Sequence, residues 1–274
     1  MPELPEIYNL ADQMNYELAG KTISGVQVVQ EKCLNVAACD FAEILVGGRV
    51  ESATSKGKWV VTRLSRGDQG SWLLFNLGMG GNVVLHEDDE ALPEKYQARI
   101  DFSDGRVLTI SFWWFGYIHA VRDGELVSHK MTADLGLTPL RDPGFTEEHF
   151  LGLLEGRRGS VKSFLTDQRN VAGIGNVYIQ DMLFRARMHP NRRLQTVTDA
   201  DKSLLYRSMI ETLEESVRLG GLAYENDLHG RAGGFKDFLV GYREGKPCPA
   251  CGATIQKVKT GSTASYICPN CQRE

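Results

Sequence analysis

Four cysteines near the end of the chain constrain its fold more than any other feature. They form two Cys-x-x-Cys pairs separated by sixteen residues. Two pairs at this spacing bring four thiolates within tetrahedral reach of one zinc ion, whereas a redox pair would need only one such motif. Because sulfur fills all four positions, we predict a structural zinc that holds a β-hairpin together and does no chemistry. The predicted ligands are Cys248, Cys251, Cys268 and Cys271.

Length and composition limit the class of protein. The 274 residues exceed a usual single domain, so two domains with a small appendage are expected. No apolar run approaches the roughly 18 residues that span a membrane, and no signal-peptide pattern opens the chain. These features predict a soluble, cytosolic protein with no membrane partner. The other two cysteines, Cys33 and Cys39, are expected to be free thiols.

The overall charge is slightly unfavourable for binding nucleic acid. A net charge of −4 and a pI near 5.9 argue mildly against phosphate binding, which depends on Lys and Arg. The distribution of charge matters more than its sum, since the acidic run 87–90 indicates a solvated loop, while basic residues crowd a later stretch. This candidate contact with phosphate contains Arg157, Arg158, Lys162, Arg169, Arg185, Arg187, Arg192 and Arg193.

Two kinds of hydrophobic pattern divide the chain. Short β-type runs bounded by turn residues predict an antiparallel sandwich or barrel, and these runs are 22–30, 57–64, 72–77 and 107–112. Apolar residues at helical spacing over 7–18 predict a helix before the first strand. After a linker at 135–143, helices are predicted from Thr146 to Leu154 and from Thr198 to Gly220, the second with Val217 on its apolar face.

Two short motifs carry candidate chemistry. Gly173-Ile-Gly-Asn176 predicts a tight loop before a helix that starts near Val177, where backbone N–H groups can bind phosphate. Such turns are also common without any ligand. The opening Pro2-Glu-Leu-Pro-Glu6 places two carboxylates close to the amino terminus, although taken alone it is an ordinary flexible terminus.

Six segments of the sequence occur in the order of a known family. They are PELPE, GKWVV, NLGMGG, LGLTPL, the stretch from FLTDQRN to MHP, and the closing pair of Cys-x-x-Cys motifs. Together they resemble the formamidopyrimidine-DNA glycosylase / endonuclease VIII family of helix–two-turn–helix proteins, of which this chain would be a divergent member. The resemblance implies an α+β fold, with an N-terminal helix plus antiparallel β-sandwich and a C-terminal helical domain with a zinc hairpin.

The implied organisation has four parts. They are an N-terminal catalytic domain at 1–131, an interdomain hinge at 132–145, a helix–two-turn–helix domain at 146–243 and a zinc finger at 244–274. The expected partner is damaged duplex DNA, bound between the two larger domains by a monomer.

The resemblance assigns the chemistry to the amino terminus. After removal of Met1, Pro2 would present a secondary amine, whose attack on the sugar C1′ gives an iminium that is cationic without a proton. Glu3 would be the general acid and base, with Glu6 a supporting carboxylate. Lys58, expected on the strand after a glycine, would grip a phosphate beside the lesion. The alternative for Lys58 is a solvated surface lysine.

Further residues match the family's contacts with DNA. Lys162 and Asn176 match phosphate contacts of the helix–two-turn–helix. Met79 matches the side chain that fills the gap left by a flipped nucleotide, although a methionine in an apolar stretch is more often part of a core. Trp114 and Phe115 stand where apolar side chains can wedge into the base stack.

Two substitutions depart from the family pattern. Trp113-Trp114 replaces a pair of arginines, one of which would read the opposite base. Thr263 replaces the arginine of the zinc hairpin. Phosphate would then be contacted by Lys257 or Lys259, and a lysine lacks the bidentate fork of arginine.

A third departure concerns the substrate. The segment 225–230 leaves no room for the base-capping loop of the oxoguanine enzymes and looks more like endonuclease VIII. The expected lesions are therefore oxidised pyrimidines, ring-opened purines, abasic sites or bulky adducts. The predicted activity is base excision through a Pro2 Schiff base followed by β,δ-elimination.

Two other classes of function remain open from the sequence. Thr263 and the Trp113-Trp114 pair also suit a non-catalytic protein that binds damaged DNA or a DNA structure. Such a binder would have no need of the amine of Pro2. A zinc-ribbon protein acting on RNA or on other proteins would use only the last quarter of the chain and leave the opening motif unexplained.

Overall fold

The chain forms two folding units, and the first of them is built from two separate segments of the sequence. The structure, a computed structural model, describes residues 1–90 and 92–273. One unit comprises Met1–Asp134 and Leu219–Gly234, and the other comprises Leu135–Arg218 and the residues from Phe235 onward. Among the described residues, no helix has the length and apolar character needed to cross a membrane.

Two antiparallel four-stranded sheets form the body of the first unit. The strands are β1 (Ile23–Val28), β2 (Arg49–Lys56), β3 (Trp59–Arg66), β4 (Gln69–Asn76), β5 (Asn82–His86), β6 (Ala98–Phe102), β7 (Val107–Ser111) and β8 (Tyr117–Arg122). One sheet has the order β1-β6-β7-β5 and the other β2-β3-β4-β8. Neither order closes on itself, so of the two predicted forms the unit adopts the sandwich.

Helix α1 (Leu4–Leu18) fills the core of this unit with its apolar stripe. Ile7, Leu10 and Met14 recur at helical spacing and are buried with residues of both sheets, as the pattern predicts. The helix ends before Gly20, whose φ of 83° lies in the left-handed region that favours glycine. A second helix, α2 (Ala38–Leu45), covers the same core through Phe41 and Leu45.

One predicted strand boundary is wrong and changes the setting of Lys58. Strand β3 begins at Trp59, because Gly57 and Lys58 form a two-residue turn between the paired Lys56 and Trp59. Gly57 has a φ of 58°, as the first central position of a type II′ hairpin requires. Lys58 therefore lies in a turn, whereas the sequence placed it on the strand.

After the helices of the second unit, residues 219–234 return to the first unit and pack against the sandwich. We call 219–234 the returning segment. Leu228 is completely buried in the core of the first unit, and its carbonyl accepts the N–H of Leu85 at 2.9 Å. Gln13 of α1 accepts the N–H of Leu228 and donates to Asp227, each at 2.9 Å. The domain bounds implied by the family resemblance include this segment in 146–243, whereas hydrogen bonds and burial place it on α1 and β5.

Helices dominate the second unit. They are α3 (Glu147–Leu154), α4 (Val161–Thr166), α5 (Ile179–Arg185) and α6 (Asp199–Arg218). Thr146 caps α3 as predicted, since its hydroxyl accepts the N–H of His149 at 3.1 Å. Val217 is only half-buried, and the fully buried polar residues Thr212 and Ser216 share the inner face of α6.

Two strands at the end of the chain form the hairpin that the cysteine spacing predicted. They are β9 (Gln256–Thr260) and β10 (Thr263–Ile267), and they pair antiparallel. The chain that approaches the hairpin is held by Asp181 of α5, whose carboxylate accepts the N–H groups of Leu239, Val240 and Gly241 at 2.7 to 3.0 Å. The fold class predicted from the sequence is confirmed.

Two smaller predictions are also confirmed. The acidic run 87–90 is exposed. Cys33 and Cys39 are free thiols, the first buried and the second exposed. Burial raises the pKa of the Cys33 thiol, so it remains protonated at neutral pH.

Replacement of Leu228 tests whether the returning segment is part of the sandwich core. Leu228→Ala removes a fully buried side chain, and we expect it to lower the free energy of unfolding by about 2–5 kcal/mol. Urea unfolding of the full chain measures the loss, with exposed Val127→Ala as a control that should change little. A loss in Leu228→Ala no larger than in the control would mean that the segment packs loosely.

Candidate functional site

The four predicted zinc ligands lie together in the second unit. Their Sγ atoms are all within 4.8 Å of one another, with Cys248 and Cys271 at 3.9 Å and Cys251 and Cys268 at 3.4 Å. Zinc–sulfur bonds of about 2.3 Å in a tetrahedron separate the sulfurs by about 3.8 Å, so the cluster fits the ion. All four are free thiols. One structural zinc held by them closes the hairpin β9–β10.

Glu6 fixes the amino terminus at the start of α1. Its Oε2 accepts the N–H of Glu3 at 2.8 Å, and its Oε1 accepts the N–H of Leu222 at 3.0 Å. The close approach needs Gly221, where an added Cβ would lie 2.8 Å from Glu6 Oε1. Pro2 and Glu3 are buried next to this bridge. The terminus is therefore held in place, unlike the flexible terminus that the sequence left as an alternative.

Glu225 is a further carboxylate at the amino terminus and is not among the site residues predicted from the sequence. Its Oε1 lies 3.4 Å from the amine of Met1, and its side chain is only 10% exposed. Burial raises the pKa of the Glu225 carboxyl, with Glu3 adding to the rise and the amine opposing it. No local sequence signal could have found it, because the contact depends on the return of 219–234 to α1.

Lys58 is tied through Asn76 to a neighbouring loop. Asn76 donates to the carbonyl of Lys58 at 3.0 Å and accepts the N–H of Gly78 at 3.0 Å. The ammonium of Lys58 makes no ion pair within the part of the chain that the structure describes. A free cation at a tight turn can bind phosphate.

Met79, Trp113, Trp114 and Phe115 form an exposed apolar tip. The three aromatic side chains are 75%, 64% and 70% exposed. Met79 and the aromatic loop exchange backbone bonds, from Met79 N to Trp114 O and from Trp113 N to Met79 O. The ring of Trp113 lies against Gly80, where an added Cβ would come within 2.5 Å of it. Met79 is 43% exposed and so is not part of a core, which was the alternative from sequence.

Lys162 is directed into the zinc hairpin. Its ammonium donates to Thr260, Thr263 and Ser265 hydroxyls and to the carbonyl of Ala264, at 2.8 to 3.1 Å. The residue is 5% exposed, and burial lowers the pKa of its ammonium to about 8. A direct contact with phosphate, which the family likeness implied, would require these bonds to break. Its contact with DNA stays a prediction.

Gln180 and Gln168 support the predicted phosphate loop. Gln180 donates to the carbonyl and to Oδ1 of Asn176 at 2.8 and 3.2 Å and accepts the N–H of Tyr266 in β10 at 3.0 Å. Gln168 accepts the N–H of Gly173 and donates to the carbonyl of Ile174. The amide Nδ2 of Asn176 is therefore left to donate elsewhere, and the loop is joined to the hairpin.

The two hairpin lysines differ in their surroundings. Both Lys257 and Lys259 are exposed on β9. The ammonium of Lys257 lies over the ring of Tyr266, 5.9 Å from its centroid, whereas Lys259 pairs across the hairpin with Ala264. Thr263 is already engaged by Lys162. Lys259 is therefore the better placed of the two for phosphate.

Much of the basic stretch is neutralised within the second unit. Arg185 pairs with Glu215 at 2.6 Å and Arg192 with Asp201 at 2.6 Å. Arg169 pairs with Asp167 at 2.7 Å. The electrostatic contact surface predicted from the sequence is thus smaller than the count of arginines indicates. Its exposed members without a salt bridge in the described residues are Arg157, Arg158, Arg187 and Arg193.

The fold and these sites define a DNA-repair enzyme of the helix–two-turn–helix type with a four-cysteine zinc finger. Three family models match the chain: the formamidopyrimidine-DNA glycosylase N-terminal domain over 1–111, its H2TH domain over 135–226, and the zinc finger found in FPG and IleRS over 245–273. The chain belongs to the formamidopyrimidine-DNA glycosylase family. It is accordingly a DNA glycosylase and abasic-site lyase.

Similar proteins cover the chain from end to end. It is 31% identical to a formamidopyrimidine-DNA glycosylase of Bacillus cereus, over 99% of both chains, and 33% identical to one of Pelotomaculum thermopropionicum, over 100% and 99%. Among solved structures, a Lactococcus lactis Fpg with abasic-site DNA covers 99% of this chain and 100% of its own, with a TM-score of 0.89 and 25% identity. Another Lactococcus lactis Fpg, bound to DNA containing N7-benzyl-Fapy-dG, has the same TM-score and identity.

The pH dependence of the free energy of unfolding tests whether the ammonium of Lys162 is buried. The unfolded chain keeps the ordinary lysine pKa of 10.5, so from about pH 8 to 10.5 it binds more protons than the folded chain. Stability contributed by Lys162 therefore rises with pH in this window. We expect the free energy of unfolding of wild type, relative to Lys162→Met, to rise by up to about 3 kcal/mol. Urea unfolding with zinc present measures this, and parallel pH profiles would place the ammonium in water.

Proposed function

We propose that the chain, once Met1 is removed, excises damaged bases from duplex DNA and cleaves the resulting abasic site with the amine of Pro2 as nucleophile. The observation that carries this proposal is the fixed amino terminus, where Glu6 binds the backbone of both Glu3 and Leu222. The same carboxylate completes a capping box at the start of α1, so the bridge fixes both the helix and the residues next to the proposed nucleophile. The expected place of action is chromosomal DNA in the cytosol.

The chemistry follows from the secondary amine. The lone pair of the Pro2 nitrogen forms a bond to C1′ as the bond from C1′ to the damaged base breaks, and the base leaves with a proton. The nitrogen then loses its N–H proton, the C1′–O4′ bond breaks with a proton supplied to O4′ by Glu3, and the nitrogen lone pair completes the C1′=N iminium. The iminium withdraws electrons from C2′. Loss of a C2′ proton expels the 3′ phosphate, and a second elimination expels the 5′ phosphate. Glu6 acts in this scheme as a positioning residue, because both its oxygens are engaged by backbone.

The proposed DNA contacts come from both units. In the first unit, Lys58 binds phosphate and the apolar tip occupies the gap in the base stack. In the second unit, Asn176 and Lys259 bind phosphate, while Lys162 acts by holding the hairpin. The solved Fpg complexes with abasic-site and Fapy-dG DNA support damaged duplex DNA as the partner.

The proposed substrates are lesions that need no base-capping loop. Residues 225–230 are engaged in a tight turn, where Asp227 accepts the N–H groups of His229 and Arg231. This leaves no free loop at that point to fold over a purine. Oxidised pyrimidines, ring-opened purines and bulky adducts suit such an open site.

Borohydride trapping tests the nucleophile. We expect Met1-processed protein to form a covalent adduct with an oligonucleotide that contains one abasic site, and mass spectrometry should locate it at residue 2. Pro2→Gly should trap more slowly, since a neutral imine must gain a proton before it withdraws electrons. Protein that retains Met1 serves as the second control and should give no adduct at residue 2.

The same assay separates the enzyme from a binder. Binding of the abasic oligonucleotide without any adduct would contradict the Schiff-base mechanism and favour a non-catalytic role. That alternative rests on Thr263, engaged by Lys162, and on the apolar tip.

Trp114→Arg tests whether the apolar tip discriminates among the bases on the opposite strand. An indole stacks on any base, so wild type should bind duplexes with a tetrahydrofuran abasic analogue opposite A, C, G or T within about threefold of one another. Arginine adds hydrogen-bond readout, and we expect Trp114→Arg to separate these affinities by about tenfold or more. Trp114→Phe is the control that keeps stacking alone. A strong opposite-base preference in wild type would contradict the assignment.

A further inference from the structure

The carboxylate nearest to the amino-terminal amine is Glu225, on the returning segment. Its Oε1 lies 3.4 Å from the amine of Met1, whose side chain is 39% exposed, while that of Glu225 is 10% exposed. The contact therefore joins the amine of a partly exposed residue to a largely buried acid.

Hydrogen bonds keep Glu225 in place. Its N–H donates to the carbonyl of Leu222 at 3.1 Å, and its own carbonyl accepts the N–H of Gly233 at 3.2 Å. Leu222 is bound in turn to Glu6. The backbone that carries Glu225 is thus fixed to the same bridge that fixes the backbone of Glu3.

Processing moves the amine by one residue only. Consecutive Cα atoms are about 3.8 Å apart, and the glutamate side chain has three rotatable bonds with which to follow the amine of Pro2. Glu225 pairs with the amine, and Glu3 lies near enough to the Glu225 carboxyl to help raise its pKa. The oxygens of Glu6 are already taken by backbone N–H groups.

We propose that Glu225 is the proton acceptor for the amino-terminal amine of the processed chain. The inference rests on the proposed function, because attack on C1′ requires a neutral nitrogen and an α-amine near neutral pH is mostly protonated. In this step an N–H bond of the Pro2 ammonium breaks, the proton goes to a carboxylate oxygen of Glu225, and the freed lone pair attacks C1′. The proton returns to the amine when the final iminium is hydrolysed.

With Glu225 in this role, Glu3 can act on a different proton. One carboxylate then takes the proton of the nucleophile, and the other serves the sugar and the leaving base. Burial raises the pKa of the Glu225 carboxyl and so makes it a better acceptor than an exposed glutamate.

Glu225→Gln has two expected effects on trapping with an abasic-site oligonucleotide. The maximal rate should fall by about a hundredfold, because the positioned base is lost. The acid limb of the pH profile should move down by about one pH unit, since a nearby anion no longer stabilises the ammonium. Glu225→Asp should restore part of the maximal rate and bring the acid limb part of the way back to its wild-type position. A fall in rate without a shift of the limb is what a merely structural role gives, and it would overturn the proposal.

Asp227→Asn is the matched control on the same segment. Asp227 binds Gln13 and the turn 229–231 but not the amine. It should leave the acid limb where it is in wild type. A shift equal to that of Glu225→Gln would mean that the segment as a whole, not the carboxylate, sets the pH dependence.

A second measurement needs no DNA. Reductive methylation with ¹³C-formaldehyde labels the amine of Pro2, and its NMR shift can be followed against pH. We expect the amine pKa to fall by about one unit in Glu225→Gln. An unchanged value overturns the proposal whatever the trapping rates are. If wild type forms no adduct at all, the proposed function fails and the catalytic role fails with it, while this titration still shows whether the ion pair exists.

Discussion

The bridge made by Glu6 joins parts of the chain that are 216 residues apart in sequence. A single carboxylate accepts one N–H at the start of α1 and another in the returning segment, and Gly221 allows the close approach. A buried carboxylate is costly unless both oxygens are hydrogen-bonded, so removal of either partner leaves an unsatisfied charge. The position of the amino terminus, and with it the proposed chemistry, depends on this bridge.

The second unit is also held by a buried charged group, which here is a cation. Lys162 places a buried ammonium among three hydroxyls and a carbonyl of the hairpin, with no carboxylate among these contacts. Neutral acceptors satisfy the hydrogen bonds but leave the charge uncompensated, which explains the lowered pKa. Gln180 adds a neutral link from Asn176 to the same hairpin. Zinc, ammonium and amide together fix the small hairpin, beside the apolar cluster that includes Val240 and Ile255.

Local patterns predicted what local physics determines. The zinc ligands, the cap of α3 and the apolar stripe of α1 follow from spacing and residue type within a few turns of chain. The return of 219–234 to the sandwich, and therefore the place of Glu225, depends on pairings with residues far away in sequence. Lys162 shows the same limit, because its sequence context is that of a basic surface helix, while its contacts come from β9 and β10.

Charge pairing within the second unit bears on how the proposed enzyme would recognise damage. Because Arg169, Arg185 and Arg192 are matched by internal carboxylates, fewer cations can release counterions from DNA than the sequence indicates, and with a net charge of −4 the non-specific affinity should be modest. The apolar tip carries no formal charge and gains free energy only where bases are unstacked. Unstacking costs a few kcal/mol in intact duplex and less at a damaged or abasic position. If the tip contacts DNA as proposed, a protein with a net charge of −4 and an exposed aromatic tip would favour sites where the stack is already weak, and its selectivity would arise from the deformability of the DNA more than from attraction to its backbone.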